Sequence, residues 1–234
     1  MTLIRRALVL APMSMELRPL VKLLDARPSK VAGLKVFIGR KGEVEVVASQ
    51  IGVGPTVAAS ATERLLDHFP VDHVLVSGIA GGIDSTAVIG KVMVPAVLVD
   101  VTSGREYHPT PLGTIALEGK IGTVDEFIVD PQRLERLVDQ GVIALEMESV
   151  GVGSVCEARG VPWTVFRVIS DRPDDGLTDG AVLGLLRPDG STDIGAAIRM
   201  MATKPNRIPG FVRLGRDASM AAVKAAKTAL DALG

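Results

Sequence analysis

Short apolar runs rich in valine, leucine and isoleucine alternate with longer helical patterns along this chain of 234 residues. Such runs are typical of strands that helices cover on both faces. Strands are predicted at 7–11, 44–49, 74–77, 92–99 and 164–169, and helices at 17–24, 56–69, 131–140, 149–158 and 219–233. The alternation predicts an α/β fold, a three-layer αβα single domain spanning residues 1–234 around a mixed β-sheet.

Turn residues support several of these boundaries. Pro55 and Pro131 suit the first turn of a helix, and Gly160 suits a helix C-terminus. The apolar run at 34–40 precedes the strand at 44–49 by a three-residue turn, which predicts a hairpin. The segment 174–215 is rich in Gly, Pro and Asp, and we expect a loop and a short helix there, over one edge of the fold.

Composition narrows the class of protein. A net charge of −1 gives no indication of binding to nucleic acid or to an anionic membrane. The hydrophobic content of 47% is sufficient for a substantial core. No apolar run approaches the roughly twenty residues that span a bilayer, and the first run is followed at once by Glu16 and Arg18, unlike a secretory signal. We expect a cytoplasmic protein in which the single cysteine, Cys156, belongs to the core.

Carboxylates follow two of the predicted strands. Glu146 and Glu148 stand at a strand-to-helix turn, and Asp171 ends the next strand. Open α/β sheets bind their ligands at such strand ends. A carboxylate there can accept both hydrogens of a vicinal diol such as that of ribose, while a separate carboxyl group protonates a leaving group.

Five motifs occur in the same order as in the nucleoside phosphorylase and nucleosidase superfamily, which the chain resembles between residues 7 and 171. Within it, the chain resembles in particular the methylthioadenosine/S-adenosylhomocysteine nucleosidases. The motifs are Ala-Pro-Met-Ser-Met-Glu at 11–16, Ser-Gln-Ile-Gly-Val-Gly at 49–54, Ser-Gly-Ile-Ala-Gly-Gly at 77–82, Gly-Lys-Val-Met-Val-Pro at 90–95, and Ala-Leu-Glu-Met-Glu-Ser at 144–149 with Arg-Val-Ile-Ser-Asp at 167–171.

The resemblance implies roles for the acidic residues. Asp171, after Ser170, would protonate N7 of a departing purine, for which burial would have to raise its pKa; alternatively, it caps the turn that follows. Glu148 would bind the ribose 2′- and 3′-hydroxyls, with Met147 against the sugar face. Glu146 would support the same hydroxyls or cap the helix that begins here.

Other positions would enclose the base. Phe127 and Ile128 resemble a Phe-Ile pair that stacks on and brackets the purine, although a core phenylalanine is the alternative. Ala80 and Gly81 would let the backbone approach the base and the ribose closely.

Glu16 distinguishes hydrolysis from phosphorolysis. In the hydrolytic branch a glutamate at this turn deprotonates the attacking water, whereas phosphorolytic relatives place an arginine where this chain has Val76. Arginine suits phosphate because of its planar donor fork. Arg18, or Arg40 from a partner subunit, remains a candidate phosphate ligand, and Glu16 is alternatively a residue of a first helical turn.

The middle of the chain departs from the nucleosidase pattern. Residues 103–122 are too few for the long loop and helix found there, which implies a more open pocket for the 5′ substituent. The compact middle and extended tail are similar to hopanoid-associated phosphorylases, and futalosine hydrolases are another relative. Tyr107 and His108 stand either at a ligand lid or at a surface turn before Pro109.

These inferences predict a purine nucleosidase that cleaves the N-glycosidic bond of a 5′-substituted adenine nucleoside with water. No metal or bound cofactor is implied, because there is no His/Cys ligand cluster and no phosphate-binding lysine loop. The alternatives are a phosphorylase that uses inorganic phosphate, including one acting on an adenosylhopane-type substrate, and a nucleoside-binding protein without activity. The resemblance implies a homo-oligomer, a dimer or a trimer of dimers.

Overall fold

The computed structural model describes residues 3–31, 33–128, 130–172 and 208–234. Within these ranges the strands are β1 Arg6–Ala11, β2 Arg27–Val31, β3 Leu34–Lys41, β4 Val44–Gln50, β5 His73–Gly82, β6 Val92–Met93, β7 Val97–Asp100, β8 Glu106–Tyr107, β9 Lys120–Thr123, β10 Val142–Glu146 and β11 Trp163–Asp171. The helices are α1 Ser14–Leu23, α2 Pro55–His68, α3 Pro131–Asp139, α4 Ser149–Arg159 and α5 Ile208–Asp231.

The strands form one mixed sheet centred on β5. Its main path runs β2-β3-β4-β1-β5-β10-β9-β7-β8, and β11 pairs with β5 and β6. The strands β1, β5 and β11 are parallel, whereas β10 meets the last residues of β5 in an antiparallel pair, Ala144 with Gly82 and Leu145 with Gly81. The end of β10 therefore lies beside the carboxyl end of β5.

Two helical layers cover the sheet, as the alternation of side chains along β1 illustrates. Ala7, Val9 and Ala11 share a core cluster with residues of α1 and α5, and Leu8 and Leu10 share another with residues of α2 and α4. Because successive strand residues point to opposite faces, an entirely apolar strand requires cover on both sides. The predicted three-layer arrangement around a mixed sheet is confirmed.

Glycines set the position of α4, the helix that begins in the carboxylate motif. A Cβ atom at Gly153 would lie 2.6 Å from Cζ2 of Trp163, and one at Gly151 would lie 2.8 Å from the carbonyl carbon of Pro55. Only residues without a side chain permit this approach to the sheet and to α2. The start of α4 is thereby held against the strand ends.

Several sequence-based boundaries need correction. The single strand predicted at 92–99 is two strands, β6 and β7, separated around Pro95, and the helix predicted at 219–233 begins at Ile208. The strand-to-helix turn predicted at Glu146 is confirmed by β10, whereas β2, β8 and β9 were not predicted, because strands this short lack the long continuous apolar run that predicts a buried strand. Residues 103–122 contain no helix, as expected, and the part of 174–215 before residue 208 lies outside the described residues.

Three side chains outside the site were singled out in the sequence, and their burial differs. Cys156 is fully buried, and burial raises the pKa of its thiol to about 12, which confirms its place in the core. Tyr107 is also a core residue, with the Arg105 guanidinium 4.7 Å from its ring centre, whereas His108 is exposed. None of the helices in the described ranges combines the length and apolar character that crossing a membrane requires.

Candidate active site

The predicted site residues come from five separate segments that meet at the end of β5. Glu16 lies in the first turn of α1, Glu146 ends β10, Glu148 immediately precedes α4, and Asp171 ends β11. The strand β5 lies between them and contributes residues 78–82. The structure therefore brings the acidic candidates together, although 155 positions separate the first from the last in the sequence.

A buried arginine that the sequence interpretation did not assign lies at the centre. Arg167 is 1% exposed, and its Nη2 donates to Glu146 Oε2, to Glu148 Oε2 at 3.1 Å and to Ser149 Oγ at 3.1 Å. Its Nη1 donates to the carbonyl oxygen of Ile79 at 3.2 Å. Although burial disfavours the charged form, the neighbouring carboxylates raise the pKa of Arg167, which holds it as a cation.

Sequence contained a signal for this residue. Arg167 is the only charged side chain between Trp163 and Ser170, a strand whose other residues are all buried. A fully buried guanidinium requires acidic partners nearby, because an unpaired charge in the interior is costly. A lone arginine in such a strand, downstream of an acidic motif, thus indicates a buried ion cluster.

Glu146 is held by the protein on every side. It accepts hydrogen bonds from the backbone N–H groups of Glu148 at 3.0 Å and Ser149 at 2.9 Å, and from the hydroxyls of Thr123 and Ser149. Together with Arg167, these donors occupy both of its carboxylate oxygens. These contacts connect Glu146 to the start of α4 and fix the guanidinium.

Glu148 has fewer partners. Its Oε1 accepts from the N–H of Gly54 at 3.3 Å, and its Oε2 accepts from Arg167. Burial raises the pKa of Glu148 to about 8, against the opposing attraction of Arg167. The carboxyl group keeps unused acceptor capacity at the strand ends, where a diol would bind.

Glu16 is locked at the start of α1. Its Oε2 accepts from the N–H of Met13 at 2.8 Å, which caps the helix, and its Oε1 accepts from the N–H of Ile79 at 2.9 Å. The nearest guanidinium nitrogen of Arg167 is 3.9 Å away. Burial raises the pKa of Glu16, with Arg167 opposing. Glu16 can therefore both lie in the first turn of α1 and belong to the candidate active site.

Asp171 lies beside the glycine loop. It pairs in register with Gly81, and a Cβ atom at position 81 would be 3.4 Å from Asp171 Oδ2. Ser170 is buried, and its hydroxyl donates to Asp171 Oδ1 and to the carbonyl oxygen of Ala80 at 3.4 Å. Gly81 thus leaves the approach to this carboxyl group unobstructed by a side chain.

The predicted base-binding residues differ in their exposure. Phe127 is 43% exposed and Ile128 is half-buried, four and five residues after Thr123, whose hydroxyl binds Glu146. Met147 is half-buried between the two glutamates. Ala80 is buried in the core. Phe127 is an exposed aromatic face and not the core phenylalanine of the alternative interpretation.

Neither candidate phosphate-binding arginine is part of the buried cluster around Arg167 within one subunit. Arg18 is exposed on α1. Arg40 pairs with Glu45, which is in register with Arg6 at the amino end of β1, about 16 Å along the strand from Ala11. Among the described residues, no group of three or more His, Cys, Asp or Glu side chains is arranged to hold a metal ion.

Comparison with known proteins agrees with this geometry. The sequence model of the phosphorylase superfamily matches residues 6–117 and 112–198. The chain belongs to the phosphorylase superfamily. The resemblance drawn from the five motifs is confirmed, whereas the likeness of the compact middle to hopanoid-associated members stays a prediction.

Individual relatives of this superfamily member are nucleosidases. This chain is 32% identical over 180 residues to a 5′-methylthioadenosine/S-adenosylhomocysteine nucleosidase of Bacillus velezensis. The alignment covers 64% of this chain and 78% of that protein. The structure of an S-adenosylhomocysteine nucleosidase from Streptococcus pyogenes in complex with 5-methylthiotubericidin has a TM-score of 0.74 at 21% identity, covering 98% and 96% of the two chains. The Streptococcus pneumoniae nucleosidase with the transition-state inhibitor MT-ImmA has a TM-score of 0.73 at 20% identity, covering 98% and 100%. At these identities the two structures show the shared fold.

Proposed function

We propose that this protein hydrolyses the N-glycosidic bond of a 5′-substituted adenine nucleoside of the methylthioadenosine/S-adenosylhomocysteine type. The observation that carries the proposal is the convergence of Glu16 and Glu148 on the guanidinium of Arg167, whose strand ends at Asp171 beside Gly81. Glycosidic cleavage needs an acid for the leaving group and a base for the attacking water. The same arrangement supplies an acceptor for the ribose hydroxyls.

Departure of the base depends on Asp171. A purine leaves readily when N7 is protonated, so Asp171 donates its proton there while the sugar acquires oxocarbenium character. The Ser170 hydroxyl, which donates to Asp171 Oδ1, fixes the orientation of that carboxyl group. The missing side chain at Gly81 lets the purine edge approach it, and the exposed face of Phe127 stacks on the ring.

The ribose binds at Glu148. Its two carboxylate oxygens accept the 2′- and 3′-hydroxyls, and half-buried Met147 lies against the sugar. We assign Glu146 to positioning and not to substrate contact, because protein donors already occupy its oxygens. It orients Arg167, which in turn orients Glu148.

The attacking water gives its proton to Glu16. Two backbone N–H groups fix this carboxylate, and its raised pKa makes it a better base than an exposed glutamate. The oxygen of the water bonds to the anomeric carbon, and the products are the free purine and the 5′-substituted ribose.

Charge in the site argues against phosphate as the nucleophile. Three buried carboxyl groups surround Arg167, the cation that the described residues place there. A phosphate dianion would meet a guanidinium that carboxylates already engage, with further negative charge behind it.

The decisive experiment measures adenine release from methylthioadenosine, S-adenosylhomocysteine and adenosine, each with and without inorganic phosphate. Release of free 5′-substituted ribose at the same rate in both conditions supports hydrolysis. Strict dependence on phosphate, with a ribose 1-phosphate product, would replace the proposal with phosphorolysis. Absence of release together with nucleoside binding would identify a binding protein.

We further propose that the enzyme is a cytoplasmic homo-oligomer of single-domain subunits, with a dimer as the simplest form. Large apolar side chains exposed on the described surface, such as Val57 at 46% and Ile115 at 37%, support association. Sedimentation velocity across a concentration range tests the assembly, and a monomer at micromolar concentration would exclude it.

A further inference from the structure

Three buried carboxyl groups share one guanidinium in the site. Glu16, Glu146 and Glu148 are 1%, 5% and 5% exposed, and Arg167 between them is 1% exposed. With all three carboxyls ionised, the described residues would place two more negative than positive charges in the cluster, away from water, which is costly. A proton bound within the cluster removes one of these charges.

The hydrogen bonds indicate where such a proton is held. Glu146 accepts from two backbone N–H groups, two hydroxyls and the guanidinium, so its ionised form is well stabilised. Glu16 accepts from two backbone N–H groups at 2.8 and 2.9 Å. Glu148 has one N–H donor at 3.3 Å and Arg167 at 3.1 Å. Its carboxylate is the least stabilised of the three.

We propose that Glu148 carries a proton in the nucleoside-free site and releases it when a ribose diol binds. The proposal rests on the proposed function, because it requires the ribose to lie against Glu148. In the complex, the two ribose hydroxyls donate the hydrogen bonds that the protein does not supply. The O–H bond of the Glu148 carboxyl group breaks, its proton passes to water or buffer, and the ionised carboxylate accepts both hydroxyls.

The groups that face Glu148 come from four elements, β11, β10, α1 and the residue before α2. Arg167 on β11 and the N–H of Gly54 before α2 favour the carboxylate, whereas Glu146 on β10 and Glu16 on α1 favour the protonated form. Burial is the largest influence and raises the pKa of Glu148 to about 8. Nucleoside affinity therefore increases between about pH 6 and pH 8, by up to about tenfold per pH unit.

Isothermal titration calorimetry in buffers of different ionisation enthalpy counts the protons released. The ligand is 5′-methylthio-7-deazaadenosine, in which carbon replaces N7, so the proton of Asp171 has no acceptor on the base. At pH 7 we expect release of about 0.5 to 1 proton per site. The 2′,3′-dideoxy form of the same ligand releases none, and equal release from both ligands would overturn the proposal.

Two variants locate the proton. Glu148→Gln resembles the protonated side chain in shape and charge, so its proton release falls to zero, whereas Glu16→Gln retains release. The opposite result would place the proton on Glu16. If Glu148→Gln does not fold, infrared spectra of the wild-type protein decide: the C=O stretch of a protonated carboxyl disappears on binding the diol and persists with the dideoxy ligand. A stretch unchanged by the diol contradicts the proposal.

An adenine-release assay on the same wild-type preparation separates this inference from the proposed function. Turnover of methylthioadenosine without proton release on ligand binding overturns the inference alone. Failure both to release adenine and to bind the deaza ligand overturns the proposed function, and the inference with it.

Discussion

Gly78 and Arg167 are register partners on adjacent strands, and the missing side chain of the glycine provides the space for the guanidinium. A Cβ atom at position 78 would lie 2.5 Å from Glu16 Oε1 and closer still to Nη1 of Arg167. Both neighbours are 1% exposed and bound by several partners, so neither can move aside cheaply.

We therefore expect Gly78→Ala to disrupt the ion cluster. Overpacking of this kind costs about 1–3 kcal/mol of unfolding free energy, and kcat should fall at least about tenfold because Glu16 is displaced. Gly215→Ala on α5 is the matched control, since apart from its own helix no atom of the described residues lies within 4 Å of its added methyl group. Urea unfolding and adenine-release kinetics compare the two; wild-type behaviour of Gly78→Ala would contradict this packing argument.

Replacement of Arg167 by Met should destabilise the protein strongly. Removing the cation leaves buried carboxylates without their counter-charge, which costs about 3–5 kcal/mol when one partner of a buried pair is lost. Arg167→Lys keeps the charge but not the fork that serves Glu146, Glu148 and Ser149 at once, so it should recover only part of the stability. Unfolding midpoints test this, with exposed Arg136→Lys as the control. Equal stability of both Arg167 variants and wild type would refute it.

Asp171→Asn should remove the leaving-group acid while preserving the shape of the site. We expect kcat for methylthioadenosine to fall about 10²–10⁴-fold and binding of a 7-deaza analogue to change only a few-fold. Asp125→Asn, at an exposed position, serves as the control. Normal turnover by the variant would exclude Asp171 from the mechanism.

Glu16→Gln should stop water activation without abolishing ribose binding. The amide can still accept from the N–H of Met13 or Ile79, so the fold is preserved, but it cannot take a proton from water. We expect a loss in kcat of about 10²–10⁴-fold at an unchanged dissociation constant for the deaza ligand. Retention of hydrolysis would return Glu16 to a role in capping α1. Glu43→Gln, on an exposed turn, controls for the loss of a surface charge.

His73 should make the protein sensitive to acid. It is 4% exposed, its Nε2 lies 2.8 Å from Thr164 Oγ1, and burial lowers its pKa to about 4. Between pH 6.5 and 4 the unfolded chain binds a proton that the folded protein does not, so stability falls as pH falls through this window. The full effect is about 3 kcal/mol.

Unfolding free energies measured from pH 7 to pH 4 test this prediction. His73→Gln should flatten the profile, whereas His68→Gln, on the exposed end of α2, should leave it unchanged. Parallel profiles for all three proteins would rule His73 out as the cause.

The order of apolar runs along the chain was sufficient to predict the layers. In β1 every residue from Ala7 to Ala11 is buried, and such a strand needs helices packed on both faces of the sheet. The order was insufficient for the antiparallel pairing of β10 with β5, which places Ala144 beside Gly82 and Leu145 beside Gly81. That pairing depends on contacts between residues about sixty positions apart, which leave no local pattern.

The acidic candidates were predictable because their motif is local, whereas the separate roles of Glu146 and Glu148 were not predictable. Glu146 and Glu148 look alike in the sequence, two positions apart. What separates them is the set of donors around each, contributed by Thr123, Ser149 and Gly54 from other segments. Arg167 went unassigned for the same reason, since its partners are distant in sequence.

The sharing of one guanidinium by three carboxylates also constrains how this site can diverge. Loss of Arg167 alone leaves buried carboxylates without their counter-charge, while joint replacement of the guanidinium and its carboxyl partners by apolar groups of similar volume leaves no buried charge. Intermediates that lack only the guanidinium are therefore less stable than either endpoint. Replacement of Arg167 during divergence thus requires coordinated substitutions at Glu146 and Glu148.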